Sequence, residues 1–202
     1  MSARPAVDGV RTVEVPGGTL ASEVLDASAD ASADASADAA SAGPTVLAVH
    51  GVSSQRRLWL ADALGEVAPG VRLVAPDLRG RGDSVAVTGP FSMDVHADDL
   101  VRVLDDAGLE RVHVVGMSMG GFVAVHLGAH HPERVESIVL VDGGIPMDPP
   151  PGLTRETVAA AFADRVGRLE RRFSGVEEYA QYFCSKTAPL LRPADLVREA
   201  VA

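Results

Sequence analysis

Residues 112–121, Val-His-Val-Val-Gly-Met-Ser-Met-Gly-Gly, decide how the chain folds. A β-branched run gives way to Gly116-Met117-Ser118-Met119-Gly120, and an apolar, small-residue-rich stretch follows at once. The order is strand, sharp turn, helix. A G-x-S-x-G turn in that setting holds its serine in a strained backbone conformation at the top of a sheet, with the hydroxyl exposed. Gly116 and Gly120 leave room for strand and helix to approach closely, which a β-carbon at either position would crowd. Ser118 is therefore the candidate nucleophile. A glycine-rich helix start with a capping serine is the alternative, and the strand before the turn weighs against it.

Upstream, Thr45–Val49 is a continuous apolar strand buried on both faces. His50-Gly51-Val52-Ser53-Ser54 follows at its carboxyl end, where open α/β sheets place ligands. Gly51 lets the backbone turn the Val52 N–H toward that pocket. A helix is expected around Leu58, Trp59, Ala63, Leu64 and Val67, stopped by Pro69-Gly70. Val71–Ala75 is the next buried strand, ended by Pro76. The loop Asp77-Leu78-Arg79-Gly80-Arg81-Gly82-Asp83-Ser84 has no G-x-x-x-x-G-K-[ST] spacing, and its aspartates would repel a phosphate. It reads as a loop whose Asp and Arg side chains pair internally. Ser92 caps a helix carrying Met93, Ala97, Leu100 and Leu104, with Gly108 as terminator. The acidic residues of that helix, Asp94, Asp98, Asp99, Asp105 and Asp106, mostly face water.

Farther out, Val10–Pro16 and Thr19–Leu25 alternate apolar and polar around Gly17-Gly18, which predicts an antiparallel hairpin at a sheet edge. Asp26–Gly43 is an Ala-Ser-Ala-Asp repeat that cannot bury enough apolar surface to offset ordering its backbone, so a disordered acidic loop is expected. After the serine a helix runs from Met119 to His131. His126 and His130 are four apart, but no Glu follows the first His as H-E-x-x-H requires, and a helix end favours cations anyway. No metal and no cofactor are expected. Val135–Val141 is the last strand, closed by Asp142-Gly143-Gly144. Pro146 and Pro149-Pro150-Pro151 stiffen a connector, after which the pattern is helical only. Thr154 caps one helix, Ser174 and Glu177 form a capping box for a second, and a third opens at Ala194. Phe162, Phe173, Tyr179, Tyr182 and Phe183 suggest an apolar lid, although their helical spacing also suits packing.

At 202 residues, 47% hydrophobic and 23% charged, the chain has room for one core and an appendage. Its formal net charge of −10 excludes nucleic acid and anionic membrane as partners, since both need a basic face. No stretch is long enough to span a bilayer, and Met1–Val10 lacks the order of a signal peptide, so a cytoplasmic location is expected. Cys184 is the single cysteine and has no activating turn.

Strands alternating with helices imply an α/β fold, a mostly parallel sheet covered by helices on both faces. With His50-Gly51 after one strand, Asp77–Ser84 after the next and Gly116–Gly121 after the third, the chain resembles the α/β-hydrolase superfamily. The resemblance covers Val10–Gly144. It implies a core over 1–144, the N-terminal part of that fold, and a partial helical cap over 145–202. It makes Ser118 the nucleophile and the backbone N–H groups of Met119 and Val52 the oxyanion hole. His50, Gly51 and Met117 are then expected beside a small-molecule acyl substrate, with Asp142 as a stand-in acid. Serine at the turn argues against the branches that carry aspartate there, the dehalogenases and epoxide hydrolases. The superfamily's acid and histidine follow the cap, and this chain ends within it, so impaired turnover is expected. The alternative is an inactive fragment that binds a partner or ligand. In either case Val135–Val141 is expected as an exposed edge prone to self-association.

Overall fold

The computed structural model describes residues 6–26, 43–60, 71–146, 148 and 152–187. The Ala/Ser/Asp repeat, the later part of the helix expected after Leu58 and the helix expected at Ala194 lie outside the described residues.

Six strands form one sheet: β1 (Ala6–Val15), β2 (Gly18–Asp26), β3 (Thr45–Val49), β4 (Arg72–Pro76), β5 (Val112–Met117) and β6 (Val135–Val141). Their order is β1-β2-β4-β3-β5-β6. β3 to β6 run parallel, and β1 and β2 form an antiparallel hairpin that joins through β2 to β4. The hairpin thus occupies one edge and β6 the other. Period-two patterning drives the hairpin, since Val13 and Val15 turn inward and Thr12 and Glu14 outward. Gly17, at φ +100, takes the tight turn.

Helices α1 (Arg57–Leu60), α2 (Met93–Asp106) and α3 (Met119–His130) cover the two faces. α2 and α3 pack Leu100, Leu104, Val123 and Leu127 onto Leu47, Val49, Val74 and Val114. Across the sheet, Trp59 of α1 meets Leu25, Ala48, Leu73 and Ala75. β3 and β4 are buried on both faces, as their continuous apolar runs require. α2 starts where Ser92 accepts a hydrogen bond from Val95 N–H at 3.3 Å. It stops where Gly108, at φ +66, turns the chain and Leu109 N–H reaches Leu104 C=O at 2.9 Å. One of its acidic residues departs from the solvated reading. Asp99 is buried against Arg79, because the loop after β4 folds back over this helix.

Residues 147–202 form a second compact unit holding α4 (Arg155–Glu170) and α5 (Val176–Thr187). Thr154 caps α4 by accepting from Thr157 N–H at 3.2 Å. At α5 the capping carboxylate is Glu178, not Glu177: its Oε2 accepts from both the amide and the hydroxyl of Ser174 at 2.8 Å. The helix begins one residue later than the box spacing implied. Phe173 packs against Tyr179 and Tyr182, at centroid distances of 5.2 and 5.4 Å, and Arg171 lies over Phe173 and Tyr182. The side chains of Phe162 and Phe183 lie outside the described residues. Among the described residues, no helix is long and apolar enough to cross a membrane.

Candidate active site

The turn between β5 and α3 places Ser118 at φ +50, ψ −117, a conformation that L residues rarely adopt. The surroundings hold it there. Ser118 N–H donates to Val141 C=O at 2.7 Å, and Ser118 C=O accepts from Gly121 N–H at 3.0 Å. A Cβ on Gly116 would collide with the Gly120 carbonyl, and one on Gly120 with the carbonyls of Val49 and His50. A Cβ on Gly143 would lie 2.8 Å from Ser118 Cα, so the turn after β6 also packs directly against the serine. Three closely packed glycines and two hydrogen bonds thus fix one strained residue.

The loop after β3 lies against it. A Cβ on Gly51 would stand 3.3 Å from Ser118 Cβ and 3.4 Å from Met117 Cε. Met119 N–H opens α3, where no intrahelical acceptor is available. Among the described residues neither it nor Val52 N–H has a hydrogen-bond acceptor. Arg81 joins the two residues from behind. Its Nε donates to Val52 C=O at 3.0 Å, Nη1 to Arg79 C=O at 2.8 Å, and Nη2 lies 3.4 Å from Met119 Sδ. Burial lowers its pKa, yet it remains a guanidinium at any working pH. A cation is thereby fixed against the Val52 carbonyl and the Met119 side chain.

The loop 77–84 does not pair with itself. Asp77 and Asp83 both bind Arg56, which also holds Glu23 at 3.0 Å, while Arg79 grips Asp99 through two bonds of 2.6 and 2.7 Å. Within the loop, Asp83 N–H donates to Asp77 and Arg81 to the Arg79 carbonyl, but no guanidinium of the loop meets one of its carboxylates. Those groups pair instead with neighbouring elements and pin the loop to them. Asp77, fully buried, accepts from Arg56 N–H at 2.7 Å, from the Arg56 side chain and from Asp83 N–H at 2.8 Å. Gly82, at φ +51, passes so close that a Cβ would overlap this carboxylate. Burial opposes the Arg56 charge, and its bonds to Asp83, Glu23 and Asp77 outweigh that, raising its pKa. Sequence reading missed Arg56 and Arg81. The available signal was Gly80-Arg81-Gly82, an arginine between two residues able to turn its side chain inward.

The six histidines occupy defined places, and none hydrogen-bonds Ser118. His50 is completely buried; Leu78 N–H donates to its Nε2 at 3.0 Å, which leaves Nδ1 to donate to Gly51 C=O at 2.8 Å. Burial lowers its pKa, so it is neutral. It holds the loop through the Gly51 carbonyl, and Gly51 itself packs against Ser118. His113 binds Ser137 Oγ at 2.8 Å, and His126, His130 and His131 face carboxylates of α2. Asp142, exposed and at φ +54, follows the carbonyl that holds Ser118. It has no hydrogen bond to a histidine among the described residues.

His96 is the exception, because it is fully buried with neither ring nitrogen hydrogen-bonded among the described residues. Burial, reinforced by Arg81, Arg79 and His50, lowers its pKa from 6.5 to about 4. The unfolded chain therefore binds this proton first, and stability is lost as pH falls from 6.5 toward 4. The full effect is about 3 kcal/mol. His96→Leu is expected to flatten that part of the pH–stability curve measured by urea unfolding. An unchanged slope in the variant would rule His96 out as its cause.

The profile of the alpha/beta hydrolase fold matches residues 44–196 of the 202. The chain belongs to the α/β-hydrolase family. Lipase LipV of Mycobacterium tuberculosis is 38% identical over 60% of this chain and 45% of its own length. Epoxide hydrolase 2 of Siraitia grosvenorii is 37% identical over 48% of this chain and 32% of its own. This α/β-hydrolase chain thus spans less than half the length of these relatives. In solved structures, a hydrolase from Pseudomonas aeruginosa superposes with a TM-score of 0.62 at 23% identity, covering 94% of this chain and 64% of that one. The last match bears on the fold alone.

Proposed function

We propose that the chain carries the nucleophile and oxyanion hole of a serine hydrolase for carboxylic esters or related acyl compounds. The observation that carries this is Ser118 at φ +50 at the start of α3, with the loop at Gly51 packed against its side chain and no acceptor for Met119 N–H or Val52 N–H among the described residues. Ser118 Oγ attacks the acyl carbon, and the carbonyl oxygen takes up negative charge. Met119 N–H and Val52 N–H stabilise that charge, and removal of one such donor costs about 100- to 1,000-fold in rate. The Ser118 proton needs a base, and none of the six histidines hydrogen-bonds Ser118. Asp142 is the candidate acid by its position after β6. A serine nucleophile favours acyl transfer over the epoxide chemistry named for one relative. Turnover by these 202 residues is accordingly expected to be feeble, at most the roughly 10³- to 10⁴-fold over water that an oxyanion hole and binding can leave.

A fluorophosphonate probe tests the reading. Slow, saturable labelling that disappears in Ser118→Ala supports it. Labelling indifferent to that substitution removes Ser118 from the role. Ester turnover at ordinary enzyme rates, lost in Ser118→Ala, would keep the nucleophile and overturn the impairment.

A second reading rests on β6. Among the described residues it pairs with β5 alone, and on one face Val139 and Val141 are 56% and 41% exposed. An unpaired, apolar strand edge recruits another strand. The chain is expected to self-associate through it, and Val139→Lys to weaken association in sedimentation velocity. A monodisperse monomer at high concentration would count against this interface.

A further inference from the structure

We propose that Asp94, His126 and His130 form a binding site for a divalent transition ion of the zinc class, clamping α2 to α3. His126 and His130 stand one turn apart on α3, and the first turn of α2 brings Asp94 to both. Asp94 Oδ1 lies 2.6 Å from His126 Nδ1 and 3.5 Å from His130 Nδ1. All three ligand atoms fall within 4.8 Å of one another. Ligands bound at about 2.0–2.1 Å to a tetrahedral ion stand roughly 3.4 Å apart. The existing separations bracket that spacing, so small side-chain rotations open the short contact and close the longer ones. The rings do not stack in a way that opposes this, being 48° apart in plane with centroids at 5.6 Å.

The donor set chooses the ion. Two imidazoles and one carboxylate suit Zn²⁺, Cu²⁺ or Ni²⁺, whereas Ca²⁺ and Mg²⁺ take oxygen shells. Side-chain exposures of 62%, 39% and 55% for Asp94, His126 and His130 leave the site open to entry and to water as remaining ligand. The side-chain contacts displaced are exposed and individually weak. Coordination uses neutral imidazoles and an ionised carboxylate, and any proton held on His126 leaves to solvent. The role is a cross-link between the two helices that cover one face of the sheet, one of which begins at Ser118. It does not depend on the chemistry assigned to Ser118.

Zn²⁺ titration of the whole chain against a chromophoric chelator is expected to show one saturable equivalent with micromolar affinity. At a hundred times its Kd the ion should raise Tm by about 5 °C or more. Cu²⁺ bound at the site should show nitrogen superhyperfine splitting from two imidazoles. His126→Gln and Asp94→Asn should each weaken binding at least about tenfold. His131→Gln, which alters the neighbouring pair with Asp98, should leave binding unchanged. Absence of saturable binding overturns the proposal. So does binding that survives His126→Gln/His130→Gln, or binding lost with His131→Gln. Should the double variant fail to fold, Asp94→Asn and the Cu²⁺ spectrum still decide.

Discussion

Gly120→Ala is expected to destabilise the protein by about 3 kcal/mol or more, which lowers Tm by roughly 6–12 °C. The added methyl would meet the backbone carbonyls of Val49 and His50, which belong to the end of β3 and cannot swing aside as a side chain can. The helix must instead lift from the sheet, and it takes the Met119 amide with it. Gly128→Ala in the same helix is the control. There the methyl meets Ile138 Cδ1 at 2.8 Å, the far end of a rotatable side chain. An interior Gly to Ala change favours the helix by about 1 kcal/mol. The two substitutions, alike in chemistry, should therefore differ strongly, with Gly120→Ala the far more costly. Thermal unfolding of both variants is the measurement, and equal small losses would show that the close approach of α3 to β3 is not rigid.

Arg56→Met is expected to cost about 3–5 kcal/mol. The substitution keeps an apolar stem of similar length and removes the cation shared by Glu23, Asp77 and Asp83. Asp77 is fully buried, so its charge is left without compensation. Arg56→Lys should lose an intermediate amount, because one ammonium cannot address three carboxylates through three separately placed nitrogens. The urea midpoint at constant m decides. A loss below about 1 kcal/mol for the methionine variant would mean that solvent reaches Asp77. Since Asp77 and Asp83 open and close the loop carrying Arg81, the same variant should loosen the support behind Val52.

The sheet and the elbow were legible because their signals are local. Val112 to Met117 alternates buried and half-buried residues, and Gly116 and Gly120, which let strand and helix close on the turn, lie two residues either side of Ser118. The hairpin, the Ser92 cap and the Gly108 stop were readable for the same reason. Partnerships across the fold were not. Arg56 finds Asp77 from 21 residues away, Arg79 finds Asp99 from 20, and Arg81 reaches Val52 from 29. On paper the alternating charges of 77–84 could satisfy one another, and only tertiary packing shows that they do not. Asp94 and His126, 32 apart, escaped for that reason too. His96 was readable in part. It lies three residues after Met93 and four before Leu100, inside the apolar stripe of α2, yet a reading that assigned that stripe to Ala97 passed it by.

Asp26 of β2 and Thr45 of β3 both lie level with Arg72 of β4, the strand between them. The ends of the intervening segment are thus about 10 Å apart, two strand spacings, at the rim of the sheet opposite the one that presents Ser118. The sheet dictates where residues 27–44 must start and finish and says nothing of how many are needed. Removing one four-residue unit from that span would change the closure entropy by only about 0.2 kcal/mol. A change of four residues there leaves the pairing of Asp26 and Thr45 with Arg72 untouched. The strand pairs on either side set the span that the segment must cross, and any length beyond that minimum is one the sheet does not read.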